Sequence, residues 1–344
     1  MLVLAKRDNA IHERLTADLA DVEARFAAEL RSDLDCVNEL VEHVERYRGK
    51  MLRPTLVLVS ALASHPDQPT EPTTRPGHRI VATVLEMVHM ATLVHDDILD
   101  EAELRRRGAT INHLAGNEAA VMLGDYLISH AYHLCSSLGD AEISRAIAHA
   151  TNTVCEGELL QLANRNNADL DERTYFEIIR RKTASLCGVS CRLAAVLNNT
   201  PPATTDALYH YGEKLGVAFQ IVDDVLDLTG DERTVGKTLN RDLEKGKLTL
   251  PLIHHLASLD DTNREAMREL LEAQRDRSLD PAVRDKQAKL LRDRLNADGS
   301  VEFARQRAAE LVASAKAQIS EHLPESPART LLLEMADAVL SRKF

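Results

Sequence analysis

Apolar positions recur every three to four residues along most of the chain, the spacing of one buried helix face. Residues 10–47 show it first, as in VEARFAAELRSDL, and predict one or two amphipathic helices. RGKMLRP (48–54) is a Gly-containing basic break before an apolar helix, and Pro54 suits that helix's first turn. Residues 65–78, HPDQPTEPTTRPGH, carry four Pro and no apolar period, which predicts a loop. Helical patterning resumes on both sides of it, so it is no domain linker. Ile80–Ile98 and Gly116–Leu138 read as long apolar helices, and further helices are predicted over 140–165, 171–197 and 206–228. NNTPPATT (198–205) separates the last two. The periodicity lapses over 230–251, then returns over 252–344 with breaks at Leu279-Asp280-Pro281, Pro324 and Pro327. No segment alternates as a half-buried strand would. The expected architecture is all-α, with 1–344 forming a single domain.

Two acidic clusters interrupt this apolar pattern. LVHDDILDEAELRRRG (93–108) places Asp96, Asp97 and Asp100 in an apolar helical run, followed by Arg105, Arg106 and Arg107. Residues four apart share a helix face, so Asp96 and Asp100 point the same way and repel unless a positive charge sits between them. A hard divalent cation with oxygen ligands would supply it, and Mg2+ usually brings phosphate oxygens along. Taken alone, the cluster could equally be a solvated acidic patch at a helix end. FQIVDDVLD (219–227) repeats the spacing with Asp223, Asp224 and Asp227, again between apolar flanks. Two such helices facing each other would set six carboxylates around one cavity, tolerable only if cations neutralise them.

Composition narrows the function classes. Lys and Arg number 42 against 54 Asp and Glu, a net charge of -12. Nonspecific nucleic-acid binding needs a basic surface instead. Aromatic content of 3% with no Trp leaves little to stack bases on. No apolar run reaches the ~18 residues of a membrane span, and MLVLAKRDNA holds too short an apolar segment for a signal peptide. Five scattered Cys suggest no disulfide framework and suit a reducing cytoplasm. GKT at 236–238 invites a P-loop reading, but five residues separate Gly230 from Gly236 where that motif needs four, and a helix precedes it rather than a strand. His130 and His133 have no third metal ligand nearby in sequence and read as core or surface.

From about Arg48 to Pro251 the chain resembles the trans-prenyltransferases, the all-α family that makes linear isoprenoid diphosphates. Its members closest in pattern are the medium- and long-chain polyprenyl diphosphate synthases. The resemblance implies a helical bundle of the isoprenoid synthase type with a central active-site cavity. It implies Mg2+, three ions per site with substrate bound, held by Asp96, Asp97, Asp100, Asp223, Asp224 and Asp227. Lys50, Arg53, His89 and Arg106 would hold isopentenyl diphosphate. Arg105, Lys182 and Lys237 would offset the charge of the allylic diphosphate, with Thr183 and Gln220 beside it. Lys237 and Lys247 would close over both as part of a lid. Arg48 and Asn240 stand where the family often has Gly. The residue five before Asp96, Ala91, is small, which leaves a product tunnel open. Val88 continues that wall, and Tyr132 is a candidate for a deeper floor. The expected product has about six to ten isoprene units (C30–C50). A homodimer is implied, with helices in 10–47 contributing. Three other readings stay open: a short-chain farnesyl or geranylgeranyl diphosphate synthase, a class I terpene cyclase, and a noncatalytic partner subunit. Cyclases generally lack the Lys50/Arg53 region and the paired Arg. Partner subunits usually lose acidic residues, and all six are present here.

Overall fold

The computed structural model of the chain describes residues 9–45, 49–65, 73–105, 108–229, 241–275 and 280–342. In order, the helices are α1 (Asn9–Glu29), α2 (Asp35–Glu45), α3 (Leu52–Ala63), α4 (Pro76–Leu99), α5 (Ile111–Ser136), α6 (Ala141–Ala163), α7 (Glu172–Ile179), α8 (Ser185–Leu197) and α9 (Pro202–Thr229). After them come α10 (Arg241–Glu244), α11 (Leu250–Ser258), α12 (Asp261–Arg275), α13 (Pro281–Ala297), α14 (Ser300–His322) and α15 (Pro327–Leu340). Two-residue strands β1 (Leu104–Arg105) and β2 (Gly108–Ala109) pair antiparallel between α4 and α5. The helical pattern misses this hairpin because two residues cannot display an alternation. A π-helical turn, Arg180–Ala184, interrupts the helix predicted over 171–197. Gly116 (φ +86°) kinks α5, and the helix begins at Ile111, before the predicted start.

The contacts fall into two compact units that interleave along the sequence. The first comprises Met1–Asn152, Leu186–Glu213 and Ala315–Ala336. Here α3 from Arg53 onward and the middle of α4, residues 81–88, are buried on every side, as helices enclosed by neighbours are. Leu56, Val57, Leu58 and Val59 of α3 have no exposed surface, nor do Val84, Leu85, Val88 and Ala91 of α4. Around α4 pack α1, α3 and α5. Several polar groups inside the unit are paired, since an unpaired buried polar group costs about 1–3 kcal/mol. The Asp18 carboxylate of α1, almost wholly buried, accepts from Arg14 at 2.6 Å and Thr74 at 2.8 Å. Arg79 of α4 reaches Asp21 at 2.8 Å. The Asn198 amide donates to the Ala61 carbonyl at 2.8 Å, and the Tyr211 hydroxyl to that of Leu332 at 2.7 Å. His78 caps α4: its Nδ1 accepts from the Arg75 amide, and Nε2 donates to the Ala194 carbonyl. Burial lowers its pKa to about 4, so this ring is neutral at physiological pH.

The second unit comprises Thr153–Ser185, Lys214–Ser314 and Asp337–Phe344. Its core runs through Tyr175, Ile178, Ile221, Val225, Leu250, Leu252 and Leu295. Contacts join α7 to α11, and α12 to α10 and α13. His255 pairs with Asp298 at the start of α14. The residues expected to begin the lid, 230–240, lie outside the described residues, Lys237 among them. From Arg241 onward that stretch is ordered as α10 and a turn. Gly246 sits there at φ +68°, a conformation L side chains rarely take, and its carbonyl accepts from the Asn166 amide at 2.8 Å.

Candidate active site

The first acidic motif occupies the last turn of α4, in the first unit. Asp96 and Asp100 are half-exposed one turn apart, whereas Asp97 is turned inward and 1% exposed. Arg105 of β1 meets Asp97 with a fork: Nε lies 2.9 and 3.0 Å from the two carboxylate oxygens, and Nη2 2.8 Å from one of them. Burial pushes the Asp97 carboxyl above the usual carboxylate range, and the Arg105 guanidinium pulls it back down. The hairpin is folded onto the motif by backbone as well. Ala102 donates to the Asp97 carbonyl at 2.8 Å, and the Asn112 amide donates to the Asp97 and Ala102 carbonyls. Arg105, expected on the diphosphate, thus lies against Asp97, because a buried carboxylate needs a charged partner. Arg106 and Arg107 lie outside the described residues.

The same unit carries the other expected binding residues. Met51, between Lys50 and the first turn of α3, adopts the left-handed conformation (φ 51°, ψ 44°). A non-glycine residue in that region costs about 1 kcal/mol and is commonest near functional sites. Lys50 is exposed. Arg53 is 9% exposed, and its Nε has no hydrogen-bond partner among the described residues. His89 is half-buried on α4. Ala91 and Val88 are fully buried there. Tyr132 is 38% exposed on α5 and turned outward. Its outward direction follows from the exposed face it shares with Val121 and Met122.

The second motif lies near the end of α9, in the second unit. Asp223 and Asp227 are half-exposed and Asp224 is 5% exposed. No guanidinium answers Asp224 among the described residues. The Tyr175 hydroxyl donates to its Oδ2 at 2.6 Å, and the Gln220 amide to its Oδ1 at 2.8 Å. Burial, then the neighbouring Asp242 charge, push this carboxyl well above its ordinary range, with the two hydrogen bonds opposing. Thr183 in turn donates to the Gln220 carbonyl at 2.9 Å. Lys182 beside it reaches Gln161 at 2.9 Å and pairs with Glu158. Both residues lie in the π-helical turn, a feature common at functional positions. Gly157 of α6 passes so close that a Cβ there would meet the Lys182 amide nitrogen at 2.6 Å. Arg342 lies 3.4 Å from Asp223 and stacks on Phe219, 3.8 Å from the ring centroid. Asp227 accepts from the Asp242 amide at 3.3 Å, and Lys247 is half-buried beyond it.

Tyr175, Glu158, Gln161 and Arg342 escaped the sequence reading. Only Gly157 left a signal, as an isolated Gly within a helical pattern. The donor set suits Mg2+: each motif offers two half-exposed hard oxygen donors one turn apart. No group of three or more His, Cys, Asp or Glu side chains is arranged to hold a metal alone among the described residues.

Comparison with known proteins supplies the class. The sequence profile of the polyprenyl synthetase family matches residues 35–285. Octaprenyl diphosphate synthase from Escherichia coli is 34% identical over 333 residues, 96% of this chain and 98% of that one. Heptaprenyl diphosphate synthase component 2 from Geobacillus stearothermophilus is 37% identical over 248 residues, 72% of this chain and 75% of its own. The crystal structure of a decaprenyl diphosphate synthase from Rhodobacter capsulatus matches with a TM-score of 0.86 at 31% identity, covering 96% of this chain and 98% of that chain. The chain belongs to the polyprenyl synthetase family. Its fold is the all-α isoprenoid synthase type, and it is a prenyltransferase. No described helix is long and apolar enough to cross a membrane.

Proposed function

We propose that the protein condenses an allylic diphosphate with isopentenyl diphosphate, head to tail, and repeats the step to a medium or long all-trans product. The observation that carries this is the shared design of the two acidic motifs. Each buries its middle Asp against a fixed partner and keeps the outer two half-exposed one turn apart. Asp96, Asp100, Asp223 and Asp227 would hold Mg2+, which when bound offsets the charge of the leaving diphosphate. Lys182 binds the allylic diphosphate, with Lys237 and Lys247 covering it. Lys50, Arg53, His89 and Arg106 hold isopentenyl diphosphate, whose double bond attacks the allylic carbon. Proton loss to the departing diphosphate restores a double bond. Apolar walls keep water from the allylic cation. We take 1–344 as one functional domain, since the family match runs through residues of both units.

The product length rests on Ala91 and Val88, which put small side chains below the metal-binding turn. The names of the relatives, octaprenyl, heptaprenyl and decaprenyl synthases, point the same way. Incubation with Mg2+, isopentenyl diphosphate and a short allylic starter should give products of about six to ten isoprene units, a range set by an open apolar tunnel. Ala91→Phe should shorten them while sparing the first condensation. A wild-type product of three or four units, or an Ala91→Phe enzyme with unchanged product length, would overturn the tunnel reading.

The exposed apolar face of α5, with Leu114, Val121, Met122 and Tyr132, supports a homodimer. The alternative is a second kind of subunit, since one relative carries the name of a component. Sedimentation of the purified chain decides: a monomer that gains activity only with a second protein would favour the heteromer. A cytoplasmic location fits the free state of all five Cys.

A further inference from the structure

We propose that Tyr175 is a positioning residue for the allylic diphosphate, acting by fixing the Thr183 hydroxyl through Asp224 and Gln220. The proposal rests on the reading that Lys182 and Thr183 bind that diphosphate. Every link of the chain is a hydrogen bond within the second unit. Tyr175 is 3% exposed, and its ring packs edge-on against Phe176 at 5.6 Å between centroids, so its hydroxyl is a fixed point. The Tyr175 hydroxyl donates to Asp224 Oδ2 at 2.6 Å. The other oxygen takes the Gln220 amide nitrogen at 2.8 Å. That fixes which way the amide faces: its carbonyl is turned to Thr183. Thr183 must therefore donate, at 2.9 Å, and its single proton points at Gln220.

Two consequences follow. The π-helical turn that carries Lys182 and Thr183 is tied by side chains to the turn of α9 that carries the second acidic motif. The Thr183 side chain is also held in one direction by its bond to Gln220, so an entering diphosphate meets a turn already fixed in place. Removing the Tyr175 hydroxyl takes away the rigid end. Asp224 and Gln220 then reorient, and Thr183 loses its fixed direction. Isopentenyl diphosphate is assigned to residues of the other unit and should not feel the change.

Steady-state kinetics of Tyr175→Phe, Thr183→Val and the double variant test this, with Lys182→Ala as a check on the underlying reading. Tyr175→Phe should raise the KM for the allylic diphosphate about fivefold, leave that for isopentenyl diphosphate within about twofold, and couple with Thr183→Val. The double variant should then be no worse than Thr183→Val alone. If Thr183→Val raises the allylic KM but Tyr175→Phe does not, the proposal fails and the reading stands. If the two effects simply multiply, the residues act independently and the proposal also fails. If Lys182→Ala and Thr183→Val both leave the allylic KM unchanged, the reading itself is wrong. Should Tyr175→Phe not fold, Gln220→Leu cuts the same chain one bond later and should give the same split. Equal rises in both KM values there would overturn the proposal.

Discussion

The two acidic motifs share one spacing and solve one problem in different ways. Both bury a middle carboxylate and expose the outer pair. Asp97 is answered by a full positive charge, the Arg105 fork. Asp224 is answered by two neutral donors, Tyr175 and Gln220. A guanidinium compensates the charge itself, whereas neutral donors compensate only part of the lost hydration. Burial accordingly pushes the Asp224 carboxyl well above its ordinary range, while Arg105 holds the rise at Asp97 in check. The first motif is pinned as a structural ion pair. The second is built into a hydrogen-bond chain that reaches the proposed diphosphate site. A motif read as D-D-x-x-D therefore has a buried middle carboxylate between two half-exposed ones, and the partners of the buried one need not match.

Removing an outer carboxylate from either motif should have the largest effect. Asp96→Ala and Asp223→Ala should each lower turnover at least about a hundredfold, the scale of losing a key electrostatic contact. Near-normal turnover of either with Mg2+ present would show that the two motifs are not equivalent ligand sets. The anchors should separate next, by stability instead of rate. Arg105→Ala leaves a buried charge unpaired and should cost about 3 kcal/mol of unfolding free energy. Tyr175→Phe removes one neutral donor from Asp224 and should cost about 1–2 kcal/mol. Denaturant unfolding measures both, and equal losses would erase the contrast drawn between charged and neutral anchoring.

Substrate affinity sharpens the comparison further. Lys50→Ala should raise the KM for isopentenyl diphosphate about tenfold, and Lys182→Ala that for the allylic diphosphate, as loss of one charge-assisted contact implies. A similar rise for both substrates in either variant would remove the division of labour between the units. The smallest effect is expected at Gly157. Gly157→Ala puts a Cβ 2.6 Å from the Lys182 amide nitrogen and must shift the π-helical turn. The allylic KM should rise a fewfold while Mg2+ dependence stays put, because the outer carboxylates are untouched; overpacking of this kind costs about 1–3 kcal/mol. An unchanged allylic KM would mean that the close approach serves packing alone.

The helices, their order and both acidic motifs were legible in the chain, because helical burial writes a period of 3.6 residues and a cluster of acids in an apolar run breaks it visibly. Which Asp turns inward was not legible. Asp96 and Asp97 are adjacent in sequence, yet one is half-exposed and the other buried, and that depends on what packs against each face of α4. The partners came from afar: Tyr175 lies 49 residues before Asp224, and Arg342 lies 119 residues after Asp223. Nothing in local propensity marks a tyrosine as a carboxylate's donor, since the reason for the bond is a desolvation that only the packed unit creates. The π-helical turn is likewise a compromise between helix and contact, written in no periodicity. Tyr132 shows the converse: spacing put it on a helix, and only the packing of α5 turned it outward. The sequence alone determined the all-α class, the two carboxylate sets and the reaction they support. Tertiary structure decided which carboxylates are buried and which stay half-exposed, because that depends on partners brought from distant parts of the chain.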